Sequence, residues 1–164
     1  MDSSLITHHS SLHYEDLIGI PYQQDGRDPK NGLDCWGVIV IVQRRLGIEI
    51  ADVFKAENQI TVKVHQTGTE ALDWIASLFG RWRRVDPPQE RCVVVFRDVG
   101  GAAVHAGVLV DYPRFIHATR AVGVGISSLT REPWASSFLG AYAYNESIQS
   151  LPSVQSVQPD QETS

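Results

Sequence analysis

Cysteine is scarce in this chain. Cys35 and Cys92 are its only two thiols among 164 residues. That is too few for a disulfide framework or for a zinc site made of cysteine alone. No apolar run approaches the ~18 residues that a membrane span needs. Met1 to Ser11 is polar, carries His8 and His9, and lacks the basic start and apolar run of a secretory signal. Positive charge is also in deficit, with 14 Lys+Arg against 19 Asp+Glu and a net charge of −5. This balance argues against non-specific coating of nucleic acid or anionic membrane. There is no Gly-x-Ser-x-Gly elbow, no phosphate loop ending Gly-Lys-Ser/Thr, and no His-Glu-x-x-His helix. The expectation is a protein made in the cytoplasm without a signal peptide, with no nucleic-acid partner, no membrane span and no cofactor.

What is present is a core. Hydrophobic residues make up 43% and charged residues 20%, the composition of one globular domain. Residues 1–10 read as a flexible arm and residues 11–145 as the folded domain. Residues 146–164, rich in Ser, Gln, Val and Pro without an aromatic, read as a disordered or docking tail.

Helices come first. Leu12, Tyr14, Leu17 and Ile18 recur at roughly helical spacing, with Gly19 and Pro21 as the stop. A loop rich in Gly, Pro, Asp and Asn follows from Pro21 to Asp34. Cys35 to Leu46 is ambiguous. The run Val38-Ile-Val-Ile-Val42 favours a strand by propensity. Its flanks favour a helix: Asp34 as cap, Arg44 and Arg45 in the last turn, and Gly47 just beyond. We read it as a helix. A second amphipathic helix is expected over Thr69 to Phe79, with Trp74 and Trp82 as core aromatics and Arg81, Arg83 and Arg84 as a solvated charge run. Strands then dominate: Cys92–Phe96, Val104–Val110, Arg114–Ala118, Val122–Ile126 and Phe138–Tyr144. The fold class is α+β, with N-terminal helices packed on an antiparallel meander.

Cys35 sits where a loop enters a helix. A helix N-terminus presents unpaired N–H groups and a partial positive charge, which favours a thiolate and can hold an oxyanion. Position alone is equally compatible with a buried structural thiol. Cys92, inside an apolar strand, reads as inert core. A base must come from His8, His9, His13, His65, His105 or His117. Only His105 and His117 fall in sheet strands between apolar neighbours. With a three-residue loop over 111–113, Val110 faces Arg114 and His117 faces Gly107. His105 is then a diagonal neighbour on the same face, roughly 7 Å away. A two-residue loop would put the two imidazoles on opposite faces. In such a constellation Cys35 is the nucleophile, His105 the base, and His117 the group that fixes the tautomer of His105. Zinc held by Cys35, His105, His117 and a fourth group lacks the usual close-spaced ligand pairs, so no metal is expected.

Taken together, Gly19-Ile-Pro-Tyr22, Gly32-Leu-Asp-Cys-Trp-Gly37, His105-Ala-Gly-Val108 and Phe115-Ile-His117 resemble the NlpC/p60 cysteine peptidases. The resemblance spans about Tyr14 to Ala118 and keeps the motif order. It implies a compact papain-like fold, cleavage of bacterial cell-wall peptides, and a Cys35–His105–His117 triad. It also implies Tyr22 beside the nucleophile and Asp34 in contact with a substrate amine, and it favours the helical reading of Val38 to Val42. The chain departs from the common pattern at Trp36, where many members have Ser, at Gln24-Asp-Gly-Arg27, and at Cys92. The wording Arg27-Asp-Pro29 with Asp-Cys-Trp-Gly is similar to the branch found in phage tails. That similarity implies a tail-tip enzyme carried in the virion, with peptidoglycan peptide as substrate and other tail-tip proteins as partners. Two other settings fit the same residues: a structural tail component with an occluded site, and an antibacterial effector.

Overall fold

The computed structural model describes residues 12–50, 82–97 and 104–144. The expected helix over Thr69 to Phe79, the arm and the tail lie outside the described residues. So do Trp74, Arg81, His8, His9 and His65.

The chain enters through a single 3₁₀ turn, Glu15–Leu17, rather than the amphipathic helix expected from Leu12 to Ile18. The stop is close: Gly19 takes φ 88°, and its N–H is given to the carbonyl of Val124. Only Leu17 of this stretch is fully buried. Two short strands, β1 (Arg27–Asp28) and β2 (Gly32–Leu33), pair within the loop that follows.

Helix α1 (Cys35–Arg45) resolves the propensity conflict in favour of its flanks. Asp34 caps it by accepting the Gly37 N–H at 2.7 Å. At the other end the N–H groups of Gly47 and Ile48 return to the carbonyls of Arg44 and Gln43, the paired bonds of a Schellman close. The β-branched run is tolerated because it is core: Val38, Ile39, Ile41 and Val42 all pack in the main apolar cluster, and tertiary burial outweighs propensity. Gln43 is buried within this helix and donates to the carbonyl of Arg91 at 2.9 Å, tying α1 to the turn before the sheet.

The sheet has six strands: β3 (Trp82–Val85), β4 (Val93–Arg97), β5 (Val104–Asp111), β6 (Arg114–Thr119), β7 (Gly123–Ser128) and β8 (Phe138–Tyr144). Their order is β3-β8-β4-β5-β6-β7, and every pairing is antiparallel. A four-residue helix, α2 (Trp134–Ser137), leads into β8. Two expectations change here. Arg83 and Arg84 are exposed, as a solvated charge run is, but they lie on a strand that was not expected, β3, which pairs with β8 from Trp82↔Tyr144 to Val85↔Ala141. The meander is also interrupted, because β8 sits inside the sheet between β3 and β4. The α+β class holds, and no helix among the described residues is long and apolar enough to cross a membrane.

Each sheet face carries its own core. Val93, Val95, Ala106, Val108, Ile116 and Ala118 meet α1 on one side. Val94, Phe96, Leu109 and Phe115 form the other, together with Trp134 and Phe138. The β5–β6 hairpin differs from expectation in its turn but not in its register. Its loop is Tyr112-Pro113, closed by the pair Asp111↔Arg114, and an irregularity between Leu109 and Asp111 absorbs one residue. Beyond that bulge the pairs Leu109↔Phe115 and Val108↔Ile116 are those a three-residue loop would give. A bulge shifts parity by one, so it cancels the shift of the shorter loop.

Gly107 faces this join. A Cβ there would lie 2.6 Å from the Ile116 carbonyl oxygen and 3.1 Å from the His117 Cβ. We therefore expect Gly107→Ala to lose about 1–3 kcal/mol of stability through overpacking. Urea denaturation at neutral pH should show the lower midpoint, and an unchanged midpoint would contradict this packing account.

Candidate active site

Two imidazoles meet on the face opposite α1. His105 Nε2 lies 2.8 Å from His117 Nδ1, and His117 Nε2 lies 2.8 Å from Ser127 Oγ on β7. His117 stands across from Gly125 in the β6–β7 register. Its ring therefore leans to a diagonal neighbour to reach Ser127. Trp134 covers both rings, with centroids at 5.2 Å from His105 and 4.7 Å from His117. Phe96 and Phe115 flank the pair.

His117 is only 4% exposed. Burial first, and the charge of His105 second, push its imidazole down to about 3. It is thus neutral in the folded protein and carries one ring proton. With that proton on Nε2, Ser127 Oγ accepts it and Nδ1 is left to accept from His105 Nε2–H. The proton-accepting nitrogen of His105 is then Nδ1. This tautomer is assigned from the chain of hydrogen bonds.

Cys35 begins α1, at the helix end that meets β5 beside Ala106. The backbone amides of Ala106 and Trp36 act on its sulfur, each drawing the thiol down. Ala106 is the residue after His105, so helix tip and imidazole-bearing strand meet at one peptide unit. The ladder explains why that N–H is available. Leu109 exchanges its backbone bonds with Arg91 and Cys92 on the β4 side. By alternation Ala106 faces the β6 side, where the β5–β6 register runs only from Val108 onward.

The sulfur's electrostatics differ from expectation. Burial is the largest influence on the thiol and the Asp34 carboxylate the second; both push it above its ordinary value. The two amides and Arg27 pull it down but do not prevail. A helix N-terminus favours a thiolate, but here the cap that forms this terminus is itself an anion, and desolvation adds to it. The resting thiol is protonated.

Asp34 is nearly buried and doubly engaged. Its Oδ1 accepts the Gly37 N–H and lies 2.7 Å from Arg27 Nη1, which also donates to the Gly26 carbonyl at 2.8 Å. Gly37 lets the loop approach, since a Cβ there would lie 2.1 Å from the Gly26 carbonyl oxygen. Tyr22 is half-buried, bridges to Leu33 and donates to Gln24 Oε1 at 3.1 Å. The structure thus joins His105 to His117 directly and brings Cys35 to the neighbouring main chain. Asp34 stands immediately before Cys35, and Tyr22 is bridged to the strand that leads to it. Cys92 is buried just before β4, in the apolar cluster with Val94 and Leu109. Sequence reasoning missed Ser127, Trp134 and Arg27. Only Arg27 had a signal, as a cation seven residues before a capping aspartate.

The pH dependence of folding follows from His117. Its folded value lies below the ordinary 6.5, so between about 6.5 and about 3 the unfolded chain binds a proton that the folded chain refuses. Stability is full above pH 6.5 and falls as pH drops, at up to about 1.4 kcal/mol per unit from this group. Urea midpoints at pH 7, 5.5 and 4.5 should decline less steeply in His117→Gln than in the parent. Parallel slopes would show that His117 is not the group refusing the proton.

Comparison with known proteins bears on the fold and the family. The curated gamma-DL-glutamyl hydrolase of Bacillus subtilis (strain 168) is 29% identical over 128 residues, which cover 77% of this chain and 26% of that protein. The chain thus spans about a quarter of that relative's length. A lipoprotein-like NLP/P60 structure from Staphylococcus aureus subsp. aureus Mu50 superposes with a TM-score of 0.56 at 20% identity, covering 88% of this chain and 45% of that one. An NlpC/P60 structure from Bacillus cereus ATCC 10987 gives 0.51 at 21% identity, covering 79% and 39%. At those identities the structures speak to the fold. Residues 19–143 match the NlpC/P60 family along nearly the whole described region, and the chain belongs to that family.

Proposed function

We propose that this protein is a cysteine peptidase that hydrolyses an amide bond in peptidoglycan stem peptides, with Cys35 as nucleophile, His105 as base and His117 as the orienting group. The observation that carries this reading is the hydrogen-bonded row His105–His117–Ser127, whose first member neighbours the peptide unit that contacts the Cys35 sulfur. Family membership and the name of the gamma-DL-glutamyl hydrolase relative support the substrate class.

The resting thiol is protonated, so its proton leaves as attack occurs. His105 Nδ1 takes that proton while the sulfur bonds to the scissile carbonyl carbon. The negative charge develops on the carbonyl oxygen, where the Trp36 and Ala106 amides near Cys35 offset it. His105 becomes an imidazolium against the Trp134 ring, a contact that favours the cation. His117 stays neutral and holds the Nε2 side. The imidazolium then protonates the leaving amine, a thioester remains on Cys35, and His105 activates the water that releases it. Asp34 acts through the helix cap. Tyr22 borders the substrate approach.

The setting we propose is the tail tip of a phage or phage-like particle, where the enzyme aids cell-wall penetration beside other tail-tip proteins. The Arg27-Asp-Pro29 and Asp-Cys-Trp-Gly wording supports it. Mass spectrometry of purified particles that contain the protein is the test of that setting, and its absence from them would remove it.

Digestion of purified peptidoglycan, with fragments identified by mass, tests the chemistry. Cys35→Ala should abolish turnover while the fold persists. His105→Ala should cost about 10²–10⁴-fold in kcat, the range for a general base. His117→Ala should cost less, because orientation is impaired while the base remains. Full-rate hydrolysis by Cys35→Ala would end the proposal.

A further inference from the structure

Ser127 and Ser128 end β7, and only one of them serves the imidazoles. The register puts Ser127 across from Phe115, on the sheet face that carries His117. Ser128 faces the other way by alternation, and its hydroxyl shares a hydrogen bond with that of Thr130 at 2.9 Å. Directly across from His117 is Gly125, which has no side chain to offer. Two positions further along the same face, Ser127 Oγ lies 2.8 Å from His117 Nε2.

His117 is also joined to His105, Nδ1 to Nε2, at 2.8 Å. A neutral imidazole has one N–H and one lone pair, so the row of three groups reads in one of two directions. In the first, His105 Nε2–H donates to His117 Nδ1, and His117 Nε2–H donates to Ser127. In the second, His117 Nδ1–H donates to His105 Nε2, and the His105 proton sits on Nδ1. That nitrogen then has no lone pair for a thiol proton. Once His105 is an imidazolium its Nε2 must donate, and only the first direction survives. This state needs an acceptor at position 127. His117 is buried and Trp134 covers both rings, so water competes poorly for that place, and a buried N–H without an acceptor is costly.

We propose that Ser127 is a positioning residue whose hydroxyl oxygen holds the ring proton of His117 on Nε2 and thereby leaves Nδ1 of His105 as the basic nitrogen. It acts through two imidazoles and touches no substrate atom. The role rests on the peptidase reading above and deepens it.

The test compares Ser127→Thr, which keeps the oxygen, with Ser127→Val, which has the same shape and a methyl group in its place. Both side chains suit a strand. Nitrogen-15 NMR of the histidine rings reads each tautomer, with signals assigned through His105→Gln and His117→Gln. Hydrolysis of a soluble stem peptide gives kcat and KM. In the parent and in Ser127→Thr the His117 proton should sit on Nε2; in Ser127→Val it should move to Nδ1. Ser127→Val should lower kcat about tenfold to a hundredfold, the worth of an unmet buried donor, with KM unchanged. Ser127→Thr should keep most of the rate, and Ser128→Ala all of it. Thermal melting checks folding, and Ser127→Ala, which adds no bulk, replaces a valine variant that does not fold. A His117 proton that stays on Nε2 without the hydroxyl, or sits on Nδ1 in the parent, overturns the proposal. Equal kcat in Ser127→Val and Ser127→Thr also overturns it and leaves the peptidase reading standing. A tautomer that follows the hydroxyl upholds it even where no stem peptide is cleaved, an outcome that sinks the peptidase reading alone.

Discussion

One backbone N–H organises this molecule. The amide of Ala106 lies where the β5–β6 ladder gives out, and it is one of the groups that draw the Cys35 thiol down. A buried donor without an acceptor costs about 1–3 kcal/mol, so the parting of the strands and the arrival of the helix tip are energetically one event. The rest follows from that meeting. Helix α1 must start at Cys35 and no later, and the loop from Pro21 to Asp34 must end in a cap. His105 must sit one residue upstream, with its ring on the face that α1 leaves uncovered.

The two faces of the sheet divide the labour. The face under α1 is aliphatic and holds the helix by its β-branched run. The other face is aromatic, and it is there that the imidazole pair is enclosed by Trp134, Phe96 and Phe115. Enclosure keeps His117 uncharged, as the orienting role proposed for it requires. The same low-dielectric surroundings hold the thiol in its protonated form. Arg27 moderates this by facing Asp34, the anion that would otherwise act on the sulfur unopposed.

Local sequence carried much of this architecture. The ends of α1 were readable because Asp34 and Gly47 solve backbone problems that belong to helix termini and to no strand. The pairing of β5 with β6 was readable from parity, although the bulge that preserved it was not. Strand β3 escaped notice because Trp-Arg-Arg-Val shows no alternation, and its place is decided by β8, more than fifty residues later. The 3₁₀ turn at Glu15–Leu17 was mistaken for a helix because periodicity does not reveal that the Gly19 N–H is claimed by Val124. Within the site, Cys35 and both histidines carry motif signals. Ser127 and Trp134 have none, since a diagonal contact across β7 and a ring laid over two others exist only once the sheet has closed. Asp34 was expected to contact a substrate amine, and its bonds to Gly37 and Arg27 show how much of its capacity the fold already uses.

The position of β8 has a bearing on how the chain matures. A sheet whose latest described strand is also an interior one is not finished until that strand has been made. While a ribosome is still synthesising residues 104–128, β4 to β7 can zip together in sequence. β3 and the free side of β4 must wait for Phe138–Tyr144. Until then both are open edges that invite pairing with other chains. The wedge that closes them is preceded directly by Trp134, so the enclosure of the imidazoles and the sealing of the sheet arrive in the same stretch of nascent polypeptide. Enclosure of the imidazoles and closure of these edges therefore come together, and a product cut short before this segment has neither.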